Sequence, residues 1–275
     1  VLCRDERRTC YRRRVTAAAN VIWLGSMASL AAGIGTSIGA FGVFFIRNLS
    51  NTLRDILLSA AAGIMLAASF FSLLLPAISH GEGQYGSTDI AVLVIIGGLL
   101  LGALSLSFMH RFLPHEHFVI GREGPDSAAF SRIWLFIIAI TLHNFPEGMA
   151  VGVGFAGGDL ANGVSLATGI FIQNIPEGLV VSVSLISIGY TRLTAFWIGS
   201  LTGLVEPVGG LFGSVAIAMA KPLMPLTLGF AAGAMLFVIS NEIVPETHRS
   251  GLKEKATFSL LSGFALMMYL DATVG

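Results

Sequence analysis

The sequence is poor in charge and nearly free of cysteine. Only 12% of its 275 residues are charged, whereas an average soluble domain has about 25%. Its two cysteines, Cys3 and Cys10, lie in the polar N-terminal segment and form no CxxC pair, so they indicate neither a structural zinc site nor a disulfide framework. A basic stripe with interleaved aromatic residues is also missing, and nucleic acid is therefore not a predicted partner.

Long apolar runs make up most of the chain. Hydrophobic residues account for 54% of it, and 33 glycines are present, as is common in closely packed membrane helices. Runs of about 20 apolar residues suffice to cross a bilayer. The pattern predicts an all-α integral membrane protein with eight transmembrane helices in the lipid bilayer. The predicted spans are 20–46, 56–79, 89–110, 131–156, 163–189, 193–220, 223–247 and 254–274.

The predicted domain organisation is simple. A basic N-terminal segment, 1–19, precedes a single transmembrane domain, 20–275. Within that domain, helices 1–3 occupy 20–110, the central helices 4 and 5 occupy 131–189, and helices 6–8 occupy 193–274.

The positive charges of the loops predict the orientation. The loops after helices 2, 4 and 6 contain only Lys221. The loops after helices 1, 3, 5 and 7 contain Arg47, Arg54, Arg111, Arg122, Arg132, Arg192, Arg249, Lys253 and Lys255. Because Lys and Arg concentrate in cytoplasmic loops, the second set is predicted to face the cytoplasm, in a cell inner membrane. Six arginines between residues 4 and 14 contradict this orientation, so either the loops outweigh them or an upstream helix changes the local topology.

Two repeats are visible in the sequence. The pattern Asn-x-Pro-Glu-Gly occurs at 144–148 and again at 174–178. A weaker match relates 61–66 to 231–236, and Gly25-Ser26 with Leu30 to Gly199-Ser200 with Leu204. Low-complexity packing sequence is the alternative explanation of the weaker match. As repeats, helices 1–3 and 6–8 would be inverted copies, which gives a 3+2+3 arrangement around helices 4 and 5 and is typical of transporters.

Three carboxylates fall near the middle of predicted spans, namely Glu147, Glu177 and Glu206. An ionised carboxylate at the bilayer centre costs ~2.5–3.5 kcal/mol on insertion scales. Since no Lys or Arg lies near these positions, protonation or a bound cation must offset the charge.

The neighbours of the carboxylates favour a metal ion. His143 precedes Glu147 by four residues and Asn174 precedes Glu177 by three, so each pair shares a helical face, and Asn144 lies nearly level with His143. Imidazole nitrogen with carboxylate and amide oxygens suits Zn²⁺ or another first-row divalent ion, and the lack of thiolate argues against Cu(I). Three carboxylates match the charge of one to two such ions, so two ions bridged by a glutamate are predicted.

Prolines accompany each of these carboxylates. Pro146, Pro176 and Pro207 each remove one helical hydrogen bond next to a predicted ligand, and carbonyls freed at membrane depth are tolerated where they line a cavity. Ordinary proline kinks, with Asn joining neighbouring helices, are the alternative, but they leave the carboxylates unexplained.

Two further residues are secondary candidates. Met65 in the second span is predicted as a soft ligand along the metal pathway, with simple packing as the alternative. Glu242, next to Asn241 near the cytoplasmic end of the seventh span, is predicted to mark an exit site.

At these motifs the sequence resembles the ZIP (Zrt/Irt-like) family of metal transporters, in particular a bacterial GufA-type branch with a member in Bordetella. The resemblance implies a binuclear site in which His143, Glu147 and Glu177 hold one ion. Asn144, Asn174, Glu177 and Glu206 would hold the second. It also implies elevator-like movement of spans 1, 4, 5 and 6 against the others, and Gln173 stands where many members have His.

The resulting expectation is a transporter, not an enzyme, that moves Zn²⁺ into the cytoplasm, with Cd²⁺, Fe²⁺ and Mn²⁺ as further cargo and a homodimer as a candidate assembly. The first alternative is an intramembrane metallohydrolase, for which the His-Glu-x-x-His motif is missing. The second is a proton-coupled carrier of an organic solute, which leaves His143 and the paired asparagines unexplained.

Overall fold

The described part of the chain is almost entirely helical. The computed structural model describes residues 2–46, 48–112, 115–117, 121–123, 132–156, 159–187, 189–248 and 253–275. For 2–18, 110, 115–117, 121–123, 132–140, 143 and 221 it describes the backbone only. The α-helices are α1 (Leu2–Phe41), α2 (Asn51–Ala68), α3 (Leu75–Tyr85), α4 (Thr88–Phe112), α5 (Arg132–Ala156), α6 (Leu160–Ser187), α7 (Arg192–Gly203), α8 (Glu206–Met219), α9 (Met224–Val238), α10 (Val244–His248) and α11 (Lys253–Val274).

Several of these helices are long and apolar enough to cross a bilayer. Among the described residues, seven segments meet that requirement: Ala19–Phe44, Asn51–Tyr85, Thr88–Met109, Leu160–Ser187, Arg192–Met219, Met224–His248 and Lys253–Val274. A multi-pass membrane protein is thereby confirmed. Helix α5 occupies the predicted fourth span and has 25 residues, but it is not one of the seven, so the count of eight spans stays a prediction.

Some boundaries differ from those expected. The basic segment 1–19 does not end at a break, because α1 runs without interruption from Leu2. The second span is longer than predicted at both ends. Ser50 caps α2 by accepting a hydrogen bond from the Leu53 N–H, and at the other end Gly86, in the left-handed conformation, terminates α3. Short antiparallel strands β1 (His115–His117) and β2 (Gly121–Glu123) also pair in the third loop, where no strand was expected.

Two membrane helices contain a π-helical turn at matching places. Ser69–Leu74 separates α2 from α3, and Ile239–Ile243 separates α9 from α10. A proline follows each turn by two residues, at Pro76 and Pro245. Since a π-turn inserts an extra residue into a helix, it offers a way to re-aim the side chains that follow it. The two turns begin 170 positions apart in the sequence (69 and 239).

The same offset of 170 relates glycine contacts in the two halves of the chain. A side chain at Gly63 would overlap the backbone of α11 at Leu260, and one at Gly233 would overlap the backbone of α4 at Leu99. Gly33 and Gly203 contact each other directly, backbone against backbone. The match of Gly25 with Gly199 expected from the sequence uses an offset of 174, which is about one helical turn away from the register of these contacts.

The helices pack as two groups. The first group is α1, α5, α6, α7 and α8, in which α1 packs mainly on α6 and α5 mainly on α8. The second group is α2, α3, α4, α9, α10 and α11, in which α4 packs mainly on α9 and α2 mainly on α11. Contacts between the groups run chiefly from α6 to α2 and α11, and from α5 to α9. All three predicted carboxylates near the membrane midpoint belong to the first group.

Candidate metal site

A chain of hydrogen bonds joins the central helix α6 to the start of α8. The Asn174 Nδ2 atom donates to Glu206 Oε1 at 2.7 Å and to the backbone oxygen of Ala32 in α1 at 2.9 Å. Gln173 in turn donates from Nε2 to Asn174 Oδ1 at 3.0 Å. Gln173, Asn174 and Glu206 are all completely buried, so these bonds form away from solvent. Two predicted ligands, Asn174 and Glu206, are thus brought into direct contact.

A break in the sixth predicted span positions Glu206. Helix α7 ends at Gly203 and α8 begins at Glu206, where Pro207 has no N–H to give the Gly203 carbonyl. Ser29 Oγ donates to the Glu206 carbonyl oxygen at 2.6 Å and ties this first turn of α8 to α1. Gly148 in α5 packs directly on the Glu206 backbone, since any side chain at Gly148 would overlap it. Helices α1, α5 and α6 therefore all converge on this residue.

The other two carboxylates lie close to Glu206. Glu147 is only 1% exposed, and Glu177 is partly buried. Both act electrostatically on Glu206, so the three acidic side chains share one region of the first helix group. Helices α5 and α6 remain α-helical through Pro146 and Pro176, whereas the predicted sixth span is interrupted between Gly203 and Glu206, just before Pro207. Three acidic groups in a buried setting need positive charge or protons nearby, because an isolated buried carboxylate is strongly disfavoured.

Several buried polar atoms near this region have no hydrogen-bond partner. Asn144 is completely buried, and neither its Oδ1 nor its Nδ2 is paired. Glu206 Oε2 and Gln173 Oε1 are also buried and unpaired, although the Thr36 hydroxyl lies near Glu206 without reaching hydrogen-bond geometry. Buried polar atoms are paired in most proteins, so each unpaired one calls for a missing partner. Three of these four atoms are oxygens, which is the donor type that a divalent cation accepts.

His143 is the one primary candidate whose side chain lies outside the described residues; its backbone is part of α5. Among the side chains that the structure does describe, no three His, Cys, Asp or Glu residues are grouped closely enough to hold a metal ion by themselves. A metal site here would need the imidazole of His143 or amide oxygens in addition to the carboxylates. This is the mixed nitrogen and oxygen set that the sequence predicts, and it remains a prediction.

The two secondary candidates lie in the other helix group. Met65 in α2 is 1% exposed and belongs to the same apolar cluster as Met149 of α5. Glu242 is 3% exposed and lies in the π-turn Ile239–Ile243. The described contacts of the Glu206 carboxylate do not include either residue, so their predicted roles along a pathway stay untested.

Sequence reasoning did not identify Ser29 and Thr36 as neighbours of the site. Ser29 is one of many small residues in α1, and nothing in its local sequence indicates that it bonds to Glu206. Thr36 had a detectable signal. It lies 170 positions before Glu206, and the same offset relates Gly33 to Gly203 and Gly63 to Gly233. This shared offset is a sequence signal by which Thr36 could have been identified as a neighbour of Glu206.

Comparisons with known proteins identify a family and several relatives to which this chain is similar. The family model "ZIP Zinc transporter" matches residues 115–271. Zinc transporter GufA of Myxococcus xanthus is 43% identical over 91% of this chain and 99% of its own length. Zinc transporter ZIPB of Bordetella bronchiseptica is 45% identical over 92% of this chain and 81% of its own, so the chain is similar to the Bordetella protein but not the same. Zinc transporter ZIP11 of Homo sapiens is 32% identical over 87% of this chain and 94% of its own length. The expected resemblance is confirmed, and the metallohydrolase alternative has no support among these relatives.

Proposed function

Because this chain belongs to the ZIP family of zinc transporters, we propose that it carries Zn²⁺ across the membrane into the cytoplasm through the buried region around Glu206. The observations that carry the proposal are two buried, unpaired oxygens, Asn144 Oδ1 in α5 and Glu206 Oε2 in α8, and the electrostatic interaction of Glu147 and Glu177 with Glu206. A divalent cation supplies the partner that these oxygens lack and offsets the negative charge.

The proposed site holds two ions. His143, Glu147 and Glu177 would bind the first, with imidazole nitrogen and carboxylate oxygens as zinc prefers. Asn144, Asn174, Glu177 and Glu206 would bind the second, with Glu177 between the two ions. The electrostatic contact of Glu147 and Glu177 with Glu206, together with the hydrogen bond from Asn174 to Glu206, supports two adjacent positions rather than separate sites.

The proposed architecture has eight spans in a 3+2+3 inverted repeat, with α5 and α6 at the centre. Supporting it are the contacts that recur with an offset of 170, the paired π-turns, and the mutual contact of Gly33 with Gly203. Alternating access would move the helix group with α1, α5, α6, α7 and α8 against the remaining helices. Denser packing within each group than between them supports this elevator-like movement.

Further parts of the proposal rest on the sequence. The loops after spans 1, 3, 5 and 7 would face the cytoplasm, and the protein would lie in a cell inner membrane. Met65 would contact the ion in transit, and Glu242 would bind it near the exit. Cd²⁺, Fe²⁺ and Mn²⁺ as further cargo and a homodimeric assembly belong to the same proposal. Its relatives are named as transporters, and no catalytic activity is proposed.

Uptake of ⁶⁵Zn²⁺ into liposomes containing the purified protein tests the proposal. We expect His143→Ala and Glu177→Ala to reduce the uptake rate by at least tenfold, since each removes a ligand of the first ion. Glu254→Ala, at an exposed carboxylate in the first turn of α11, is the matched control and should transport as the unmodified protein does. Unchanged uptake in both ligand variants, or no uptake by the unmodified protein, would refute the proposal.

A further inference from the structure

Two helix pairs of the first helix group pack through corresponding contacts. Against α5, a side chain at Gly148 would overlap the backbone of Glu206 in α8. Against α6, a side chain at Gly178 would overlap the backbone of Thr36 in α1. Gly148 and Gly178 are the last residues of the two Asn-x-Pro-Glu-Gly patterns. Thr36 therefore lies against α6 as Glu206 lies against α5.

A second set of contacts has the same correspondence. Gly209 in α8 packs on the Phe145 carbonyl of α5. Gly39 in α1 packs on the Ile175 carbonyl of α6. Each of these two glycines lies three residues after the residue of its own helix compared above. Because the position of a residue on its helix sets the direction of its side chain, the side chains at 36 and 206 leave their helices at corresponding places.

The Thr36 side chain also lies next to the acidic residues. Thr36 and Glu206 are both completely buried. A side chain at Gly203 would lie 2.9 Å from Thr36 Oγ1, and one at Gly33 would lie 3.6 Å from Glu206 Cβ. The two side chains therefore flank the contact of Gly33 with Gly203. Neither Thr36 Oγ1 nor Glu206 Oε2 has a hydrogen-bond partner, so the hydroxyl does not take up the free oxygen of the carboxylate.

A hydroxyl thus occupies position 36, whereas the corresponding position carries a carboxylate. Glu147, Glu177 and Glu206 together bring three negative charges when ionised, and two divalent ions bring four positive ones. One positive charge is then left over, which a fourth carboxylate would neutralise. The affinity of oxygen-ligand sites for divalent ions depends on the number of charged ligands. A neutral group at 36 therefore leaves the second ion more weakly bound than a carboxylate there would.

We propose that Thr36 limits how tightly the site holds its second Zn²⁺ ion, because it places a neutral group where the packing of α1 on α6 offers a position for a fourth carboxylate. The inference rests on the proposed function and concerns the release of the ion. A transporter must let its cargo go after each crossing, and an ion whose charge is fully neutralised leaves slowly. Thr36 is thus a residue that determines affinity, and it is not itself a ligand of the ion.

Thr36→Asp and Thr36→Asn are a matched pair of variants, because the two new side chains share one shape and differ in charge. In equilibrium dialysis of the purified protein, we expect Thr36→Asp to bind the second Zn²⁺ ion more tightly than Thr36→Asn by on the order of tenfold or more. In liposome uptake of ⁶⁵Zn²⁺, Thr36→Asp should have both a lower KM and a lower kcat than Thr36→Asn. A merely structural disturbance would lower kcat without lowering KM.

Two control variants separate charge from shape and from position. Thr36→Val keeps the shape of threonine and removes an unpaired hydroxyl, so its affinity for Zn²⁺ should stay within about twofold of that of the unmodified protein. Thr257→Asp adds a carboxylate at an exposed position of α11, in the second helix group. Because solvent and salt screen that charge, KM and kcat should both stay within about twofold.

Thermal unfolding keeps the test decisive if Thr36→Asp folds poorly. In chelator its unfolding temperature should lie below that of Thr36→Asn, because four carboxylates then share one buried region, and saturating Zn²⁺ should close this gap. Equal affinity of the two variants for the second ion, or a gap that zinc leaves unchanged, would overturn the inference, as would loss of the second ion in Thr36→Val. If the unmodified protein binds no Zn²⁺ in dialysis, the proposed function itself is refuted.

Discussion

A buried hydrogen bond joins the two helix groups, and its removal is expected to loosen them. Asn162 in α6 donates from Nδ2 to the backbone oxygen of Ser72 at 3.0 Å, and the bond is buried. Pro76 has no N–H with which to satisfy that carbonyl in the usual helical way, so Asn162 takes over this role. The Ser72 hydroxyl bonds separately to Asp271 at 2.8 Å, within the second group.

The size of the effect follows from the loss of this donor. Asn162→Leu leaves the Ser72 carbonyl buried and unsatisfied, which costs about 1–3 kcal/mol. The cost applies only while the two groups are packed at this place, since water can satisfy the carbonyl once they separate. The equilibrium between packed and separated groups should therefore shift about 5- to 150-fold toward separation.

A reporter cysteine measures that shift. Ser165 is completely buried, one turn from Asn162 on the face of α6 where Gly169 meets Ile64 and Met267. With Cys3 and Cys10 replaced by serine, Ser165→Cys should react with a membrane-impermeant maleimide about 5- to 150-fold faster when Asn162→Leu is added.

Ser72→Ala is the control for the reporter experiment, because it removes the bond to Asp271 but keeps the carbonyl. It should leave the reaction rate within about twofold. An equal reaction rate with and without Asn162→Leu would show that this hydrogen bond does not hold the groups together. If the Ser72→Ala control is labelled as much faster as the Asn162→Leu variant, the effect belongs to the π-turn as a whole and not to the hydrogen bond from Asn162.

Two further predictions concern stability. Gly33→Ala places a methyl group against the Gly203 backbone and should destabilise the protein by about 1–3 kcal/mol in thermal or detergent-induced unfolding. Gly83→Ala is the control, because its methyl group meets no neighbouring atom and should not change the stability. Equal stability of both variants would contradict the described contact between Gly33 and Gly203. Ser50→Ala removes the cap of α2 and should cost about 0.5–2 kcal/mol in the same measurement, compared with a smaller effect of Ser262→Ala, whose hydroxyl bonds within α11.

The positions of the membrane helices were largely predictable, because a run of apolar residues between polar joints leaves few alternatives. The doubled Asn-x-Pro-Glu-Gly pattern likewise identified Asn174, and the position of a carboxylate in the middle of the sixth span identified Glu206; the structure brings the two into contact. The direction of the Asn174 amide was not predictable. It depends on the Ala32 carbonyl, which lies 142 residues away in the chain and has the same backbone chemistry as any other residue.

The two matches read from the sequence differ in register for a physical reason: that of 61–66 with 231–236 has the offset of 170 seen in the contacts, whereas that of Gly25 with Gly199 has an offset of 174. Helices built from glycine, alanine, serine and leucine resemble themselves when shifted by one turn, so Gly25 matches Gly199 about as well as a residue four positions away. Contacts between helices resolve this ambiguity, because only one register places Gly33 opposite Gly203. The π-turns were also missed, since no residue type in 69–74 or 239–243 requires them.

The contact of Gly33 with Gly203 has a consequence for how such proteins can change over time. Covariation between positions usually reveals spatial neighbours, because a larger residue on one side is compensated by a smaller one on the other. Here both sides already carry the smallest residue, and the backbones touch. Neither position can vary first, so no compensating pair arises. This close approach between the two halves of the chain would therefore leave no trace in the correlated variation of related sequences.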